Sequence, residues 1–472
     1  MLFTRHAQRA FLPILFIVAA SLTSVAQDTI PAAESAVADD VAVVEQVAIA
    51  VESLGSDAPS LDSGDTAWIL TSTALVLFMT IPALALFYGG LVRTKNVLSV
   101  LMQCLVLTAL LSVVWVVFGY SLAFDTTDME AGKVGLSAFL GGFSLAFLQG
   151  VTPDSLTGTI PTVLHAAFQM TFAVITPALM IGAFAERMKF SAVLVFSTVW
   201  LAIVYLPICH MTWAGDGGLF WDWGVMDFAG GIVVHVTAGV SALVACIMVG
   251  PRAGYPRSLD PPHNMTMTVT GTAMLWVGWF GFNGGSALAA DGNAAMAVLV
   301  THLSASIATL VWMGIEWIKL GKPSVLGAAT GAIAGLAAIT PASGFVGPVG
   351  ALVIGTASAI ICFVFATKIK QACGYDDSLD VFGVHGVGGY LGTVLCGVFA
   401  ASSFGGLADA SFSIGSAVWT QFLAATITAV YSVIATVVIL SVMKIFMQLR
   451  VDGDAEYRGL DLSEHEERGY IL

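Results

Sequence analysis

Two histidines, His235 and His385, stand inside stretches with no formally charged residue, 228–250 and 381–406. Each follows an aspartate by eight residues (Asp227, Asp377) and precedes a glycine by four (Gly239, Gly389) and a cysteine by eleven (Cys246, Cys396). A neutral imidazole donates at one ring nitrogen and accepts at the other, so two that face each other can hold or pass a proton. Ionisable groups in such surroundings mark substrate or ion paths in membrane chains. The plainer reading is a pair of unrelated polar side chains, each hydrogen-bonded to a neighbouring helix. At the helical rise, eight residues span about 12 Å. Two helices entering a core about 30 Å thick from opposite faces would therefore bring both rings to the midplane.

A second group of residues is aromatic. His165, Phe168 and Phe172 fall at i, i+3 and i+7, and so do Trp279, Phe282 and Ser286. Both sets thus lie on single helix faces. Trp213 and Asp227 belong to neighbouring segments of the same outer side. Any one of these rings fits an interfacial belt. Together, aromatic faces, one hydroxyl and one carboxylate form a mouth that attracts a small cation. Below that mouth the walls are apolar and the polar groups are imidazoles, whereas a metal-ion channel wants oxygen ligands. The design suits a cation that can shed its charge, because a bare ion in a dry constriction costs many kcal/mol and a neutral amine little. His165 and His302 lack a symmetry mate and are expected to pack or support.

The elements that must position these residues follow from composition. The chain has 472 residues, 57% hydrophobic and 10% charged, against about 25% charged in soluble domains. It reads as an all-α polytopic membrane protein. Eleven apolar runs are expected to span, near 66–92, 96–124, 158–185, 190–209, 228–250, 265–290, 292–315, 324–341, 344–367, 381–406 and 411–443. A formal charge of −14 argues against a nucleic-acid partner, which needs clustered Lys and Arg. Six scattered cysteines without a C-x-x-C pair give neither a disulfide framework nor a zinc signature, and no metal or cofactor is expected. The absence of HExxH and GxSxG motifs argues against an enzyme.

Residues 1–26 have basic Arg5 and Arg9, an apolar run too short to span and a small-x-small site ending at Ala26, the form of a cleaved signal peptide. Residues 27–65 form an acidic extracytoplasmic lead-in, 66–445 the membrane domain and 446–472 a cytoplasmic tail. Outside the signal, fourteen of fifteen Lys and Arg fall on one side, Lys133 being the exception. That side is cytoplasmic by the positive-inside rule, so the mature N-terminus is outside and the C-terminus inside. Five spans turn a chain over, so runs one to five and six to ten would form an inverted repeat, with the eleventh terminal. F-x-G-G recurs in runs one (Phe87–Gly90) and six (Phe282–Gly285).

Seven stretches carry a resemblance to a known family: TALVLFMTIPALALFYGGLVRTKNVLS (73–99), HAAFQMTFAVIT (165–176), IGAFAERMKFSAVLVF (181–196), DFAGGIVVH (227–235), GWFGFNGGSA (278–287), GKPSVLGAATGAIAGL (321–336) and DVFGVHGVGG (380–389). In these the chain resembles the bacterial ammonium transporter family of the Amt/Mep/Rh superfamily over nearly all of 66–465. The resemblance implies eleven helices, a homotrimer with one pore per protomer in the inner (plasma) membrane and a cytoplasmic PII-class partner. It implies that Trp213, Ser286 and Phe172 recruit ammonium, with Phe168 in the vestibule and Asp227 supporting the site. Phe172 and Phe282 would form the gate, and His235 and His385 the twin pore histidines of a proton relay. From its place on the face of Phe282 and Ser286, Trp279 is expected to line the pore. The outer loop 215–226 and the lead-in 28–66 are longer than the family's pattern. An electroneutral Rh-type ammonia or gas channel and an ammonium sensor acting through the tail are the alternatives.

Overall fold

The computed structural model describes residues 60–257 and 261–471. The expected signal peptide and almost all of the acidic lead-in lie outside the described residues. From Asp62 onward the chain forms one compact unit, in which the described residues make eleven helical runs. In chain order these are α1 (Ser63–Leu91), α2 (Thr94–Phe124), α3 (Thr162–Phe184), α4 (Phe190–Trp213), α5 (Gly231–Val249), α6 (Met265–Gly284), α7 (Gly292–Leu320), α8 (Val325–Ile339), α9 (Pro348–Cys373), α10 (Phe382–Phe399) and α11 (Ile414–Phe446). Nine of them are long and apolar enough to cross a membrane. The other two are α6, with Thr266, Thr268, Thr270 and Thr272 in its first turns, and the 15-residue α8. Beyond α8 the backbone continues as a buried turn through Thr340, Ala342, Ser343 and Val346, the setting in which non-helical backbone is tolerated at membrane depth. A short hairpin, β1 (Leu156–Thr157) and β2 (Ile160–Pro161), leads into α3.

Local chemistry sets the helix starts. Asp62, Asn264, Asp291 and Ser324 each accept a hydrogen bond from the backbone N–H three residues on, capping α1, α6, α7 and α8. The Asp62 cap starts α1 three residues before the expected run, because a carboxylate so near a helix N-terminus is a stop signal for hydropathy but a start signal for the backbone.

Glycine sets the packing. A Cβ on Gly271 of α6 would lie 2.3 Å from the Phe87 nitrogen of α1, and one on Gly278 would lie 2.3 Å from Met79. These helices therefore meet backbone to backbone, as small-residue membrane interfaces do. The α5–α10 contact is reciprocal. Gly239 of α5 faces the Gly386 backbone beside His385, with a Cβ there 2.1 Å from the Gly386 nitrogen. Gly389 of α10 faces His235, with a Cβ there 2.6 Å from the histidine's own Cβ. The glycine four residues after each histidine thus makes room for the other histidine's turn.

The tail does not hang free. Two short helices, α12 (Gly453–Arg458) and α13 (Leu460–His465), return beneath the bundle. Val451 donates to the Arg187 carbonyl (3.0 Å), Ser99 to the Asp461 carboxylate (2.8 Å) and Phe190 to Glu464 (2.9 Å). Lys95 also donates to the Tyr457 carbonyl.

Candidate functional site

The mouth is built on one carboxylate. Asp227 Oδ1 accepts from the N–H groups of Gly230 (2.9 Å) and Gly231 (2.6 Å), and Oδ2 from those of Ile232 (2.8 Å) and Val233 (3.1 Å). Four orphan donors at the start of α5 are thus satisfied by a single side chain. The tight approach needs Gly230 at φ 110°, a conformation open to glycine. The Asp227 carbonyl accepts the indole N–H of Trp213 at 2.8 Å. The carboxylate faces the backbone, so its work is to hold the first turn of α5 and, through its carbonyl, the Trp213 ring.

From Trp213 a chain of ring contacts runs inward. Trp213 meets Phe172 edge-on with centroids 5.7 Å apart, and Phe168 meets Phe172 at 5.0 Å. Phe172 and Phe282 overlap at 4.4 Å with a 37° tilt, and each is only 1% exposed. Ser286, one turn above Phe282, is half-buried. Its hydroxyl donates to the Phe282 carbonyl at 2.8 Å, which leaves its oxygen lone pairs to accept from a guest. Phe168 packs on Gly285 beside it. Trp279 lies further in than the mouth, stacked on His235 at 5.6 Å and 27°, its N–H given to the Thr340 hydroxyl at 2.9 Å.

Below Phe282 the two imidazoles touch. His235 and His385 have Nδ1 atoms 3.3 Å apart and rings 25° from parallel. One must donate and the other accept. His235 Nε2 is buried without a hydrogen-bond partner among the described residues. It borders a constricted cavity of about 10 Å³, walled by Met79, Ile175, Leu275, Trp279, Phe282 and Ile333. That is about the space one water needs. On the far side a vestibule of about 780 Å³ opens to His385 past Tyr88, Arg93, Glu186, Arg252 and Lys370.

Both histidines sit in π-helical turns, Gly231–Val236 and Phe382–Gly386. His235 N–H reaches back five residues to the Gly230 carbonyl at 2.9 Å. Such widened turns recur at functional sites, and here they occupy equivalent positions in the two halves. The arrangement is a closed aromatic pair over a narrow, largely apolar cavity bordered by two imidazoles.

The sequence profile of the Ammonium Transporter Family matches residues 67–470. The chain belongs to the ammonium transporter family. It is 44% identical over 414 residues to the ammonium transporter of Bacillus subtilis (strain 168), covering 87% of this chain and 99% of that one. It is 41% identical over 411 residues to the ammonium transporter Amt1 of Archaeoglobus fulgidus, covering 87% and 100%. Among solved structures, Saccharomyces cerevisiae Mep2 aligns with a TM-score of 0.75 at 33% identity over 84% of this chain and 89% of that chain. A structure described as a sensor Amt protein aligns at 0.77 and 29% identity, over 85% and 98%.

In this ammonium transporter family member the other two histidines singled out in the apolar runs, His165 and His302, stand apart from the His235–His385 pair. His165 Nδ1 lies 3.2 Å from the Tyr120 hydroxyl, with its ring edge-on to Phe124. His302 is exposed on α7 against Trp276 and Phe280. Hydropathy and spacing gave no sign of the π turns, of Thr340, or of the charged cluster framing the vestibule. In that cluster Arg93 and Arg252 flank Glu186 at 3.0 and 3.3 Å, and Arg252 also reaches Asp376 at 2.8 Å. Burial pushes the Glu186 carboxyl up, but Arg93 and Arg252 outweigh it and hold it below the usual range. Burial likewise raises Asp376, and its Arg252 bond brings it below. Arg187 is fully buried. It donates to the carbonyls of Ala183, Ala185, Gly250 and Asp376 and to the Ser378 hydroxyl, binding the ends of α3 and α5 to the segment entering α10. The A-E-R run at 185–187 was the one available signal, and the sequence does not say where its three side chains point.

Proposed function

We propose that this protein carries ammonium across the bacterial plasma membrane, recruiting it as the cation and conducting it as ammonia plus a relayed proton. The observation that carries the reading is the His235–His385 contact directly beneath the closed Phe172–Phe282 pair. Ammonium arrives at the Trp213, Phe172 and Ser286 mouth, where ring faces attract charge and the serine oxygen accepts one N–H. Phe168 completes the vestibule wall. The constriction is too narrow and apolar for a hydrated alkali ion, and the guest gives up its proton just below the Phe172–Phe282 pair to His235 Nε2, whose ring then releases its Nδ1 proton toward His385. Ammonia then moves along apolar walls, accepting and donating hydrogen bonds at imidazole nitrogens, His235 Nε2 among them. The Nδ1–Nδ1 contact carries the proton, and the wide vestibule rehydrates both.

The same reading places eleven spans in the membrane with the mouth outside and the docked tail inside, which puts Arg93, Arg187, Arg252 and Lys370 on the cytoplasmic side, as the charge rule requires. A homotrimer with one pore per protomer, and regulation at the cytoplasmic face by a PII-class protein, belong to it as well.

The test is the ammonium-evoked current in proteoliposomes, with potassium and sodium controls, for the wild type and for His235→Ala. A transient current selective for ammonium that disappears in the variant supports the relay. An unchanged current in the variant refutes it. Internal alkalinisation without current assigns electroneutral ammonia conduction instead.

A further inference from the structure

The segment joining α2 to α3 contains a run of eighteen residues, 133–150, in which Lys133 is the single formal charge. Within it, Leu140, Leu145 and Leu148 pack against the core, while Phe143 and Phe147 stand 67% and 70% exposed. Two large rings presented outward on a loop call for a partner.

The loop runs back along α2. Its turn Ala146–Leu148 packs against the Trp115–Gly119 turn of that helix, below the helix end at Phe124. Residues 97–124 span about 42 Å of helix, some 6 Å beyond a 30 Å core at each end if centred. Trp115–Gly119 lies about 8–14 Å below Phe124, so the turn sits roughly 2–8 Å inside the hydrocarbon.

At that depth backbone groups must be satisfied by protein, and several groups in the turn, and in the segment above it level with the end of α2, are. Gly141 donates to the Leu122 carbonyl (2.8 Å), Ser144 to Asp125 through its N–H (2.9 Å) and hydroxyl (2.6 Å), and Leu145 to the Ser121 hydroxyl (3.0 Å). Ser121 in turn donates to the Gly142 carbonyl (2.8 Å). Within the turn Ala146, Leu148 and Gln149 bond three residues back. The turn holds two successive side-chain-bearing residues in the left-handed region, Phe147 at φ 57° and Leu148 at φ 56°. Such conformations persist where the surroundings fix them, and this one turns Leu148 inward and Phe147 outward. Val113 and Val116, on the adjoining surface of α2, are 62% and 38% exposed, so the Phe147 ring extends a surface that already faces lipid.

We propose that the 143–148 turn is a lipid anchor of the outer leaflet, with Phe147 seated among the acyl chains and Phe143, level with the end of α2, at their headgroup edge. The leaflet rests on the orientation proposed above; the depth does not. The segment entering this run is tied to the loop between Trp213 and Asp227, where Asp222 accepts from Gly132 (2.8 Å) and from Gly217 (2.9 Å).

The experiment is spin-label accessibility in the full-length protein, in right-side-out vesicles, with the exposed Cys373 replaced in Cys373→Ser. Labels are placed singly by Phe143→Cys and Phe147→Cys. Val116→Cys is the lipid-facing reference and Asp154→Cys the aqueous one, and collision with oxygen is compared with collision with a water-soluble nickel chelate. The label at 147 should match 116, with an oxygen-to-nickel ratio several-fold above that at 154, and the label at 143 should fall between the two. A ratio at 147 equal to that at 154 overturns the proposal. So does shielding from both reagents with spin–spin broadening, which would assign the face to a second copy of the chain. An impermeant reductant that fails to reach the label at 154 would overturn the orientation while leaving the depth result standing.

Discussion

The reciprocal glycine contact between α5 and α10 can be tested with one methyl group. In Gly239→Ala the new Cβ would sit 2.1 Å from the Gly386 nitrogen and 2.3 Å from its Cα, whereas ordinary contact begins at 3.4 Å. The obstructing atoms are backbone, so no rotamer can relieve the clash, and one helix must retreat by about 1.3 Å at a cost near the upper end of the usual 1–3 kcal/mol for overpacking. The Nδ1 atoms, 3.3 Å apart now, would pass beyond hydrogen-bond range with even a third of that retreat. We expect a melting temperature several degrees lower, read by size-exclusion chromatography after heating, and an ammonium-evoked current reduced at least about tenfold, the effect of 1.4 kcal/mol on a barrier. Gly389→Ala, with its Cβ 2.6 Å from the His235 Cβ, should behave alike. Gly415→Ala places its methyl in open space and should change neither readout. Wild-type current and melting temperature in Gly239→Ala, or equal damage in Gly415→Ala, would refute the reasoning.

Asp227→Ala strips acceptors from four buried N–H groups; at about 1–3 kcal/mol for each donor left unpaired, folded yield should collapse. Asp227→Asn keeps one acceptor oxygen and should fold with reduced stability, so equal yields of the two variants would count against a structural role. Glu186→Gln removes the anion between Arg93 and Arg252. Breaking such a cluster costs about 3 kcal/mol, visible as a lower melting temperature at neutral pH. Glu186 and Asp376 are held below the usual carboxylate range. The stability they add is therefore fully present above about pH 5, beyond their unfolded values, and is lost as acid carries the pH through their folded values. A melting temperature that falls on acidification in the wild type, and falls less steeply in Glu186→Gln, is the expected pattern.

The sequence by itself determined the fold class and named most of the residues that the fold brings together in the candidate site. Lipid admits helices and forbids unpaired backbone, so long uncharged runs have one solution, and each expected run has a helix at its place. The spacing of Asp227, His235 and Gly239, repeated at Asp377, His385 and Gly389, was legible because a close helix crossing leaves room at each histidine turn only for hydrogen. The i, i+3, i+7 sets placed Phe168 with Phe172 and Trp279 with Phe282 on shared faces. Tertiary structure alone decided what each face meets. Trp279 turned from the mouth to the His235 ring, because the Thr340 hydroxyl in the buried turn after α8 takes its N–H. Asp227 turned from the guest to its own helix, because four orphan donors lie within reach. The π turns depend on backbone bonds that hydropathy does not encode. The Glu186 cluster depends on Arg93, Arg252 and Asp376, which meet only once α1, α3, α5 and α9 have packed. Pattern reports which side of a helix is apolar; the partner on that side is set by long-range contacts that no local spacing records.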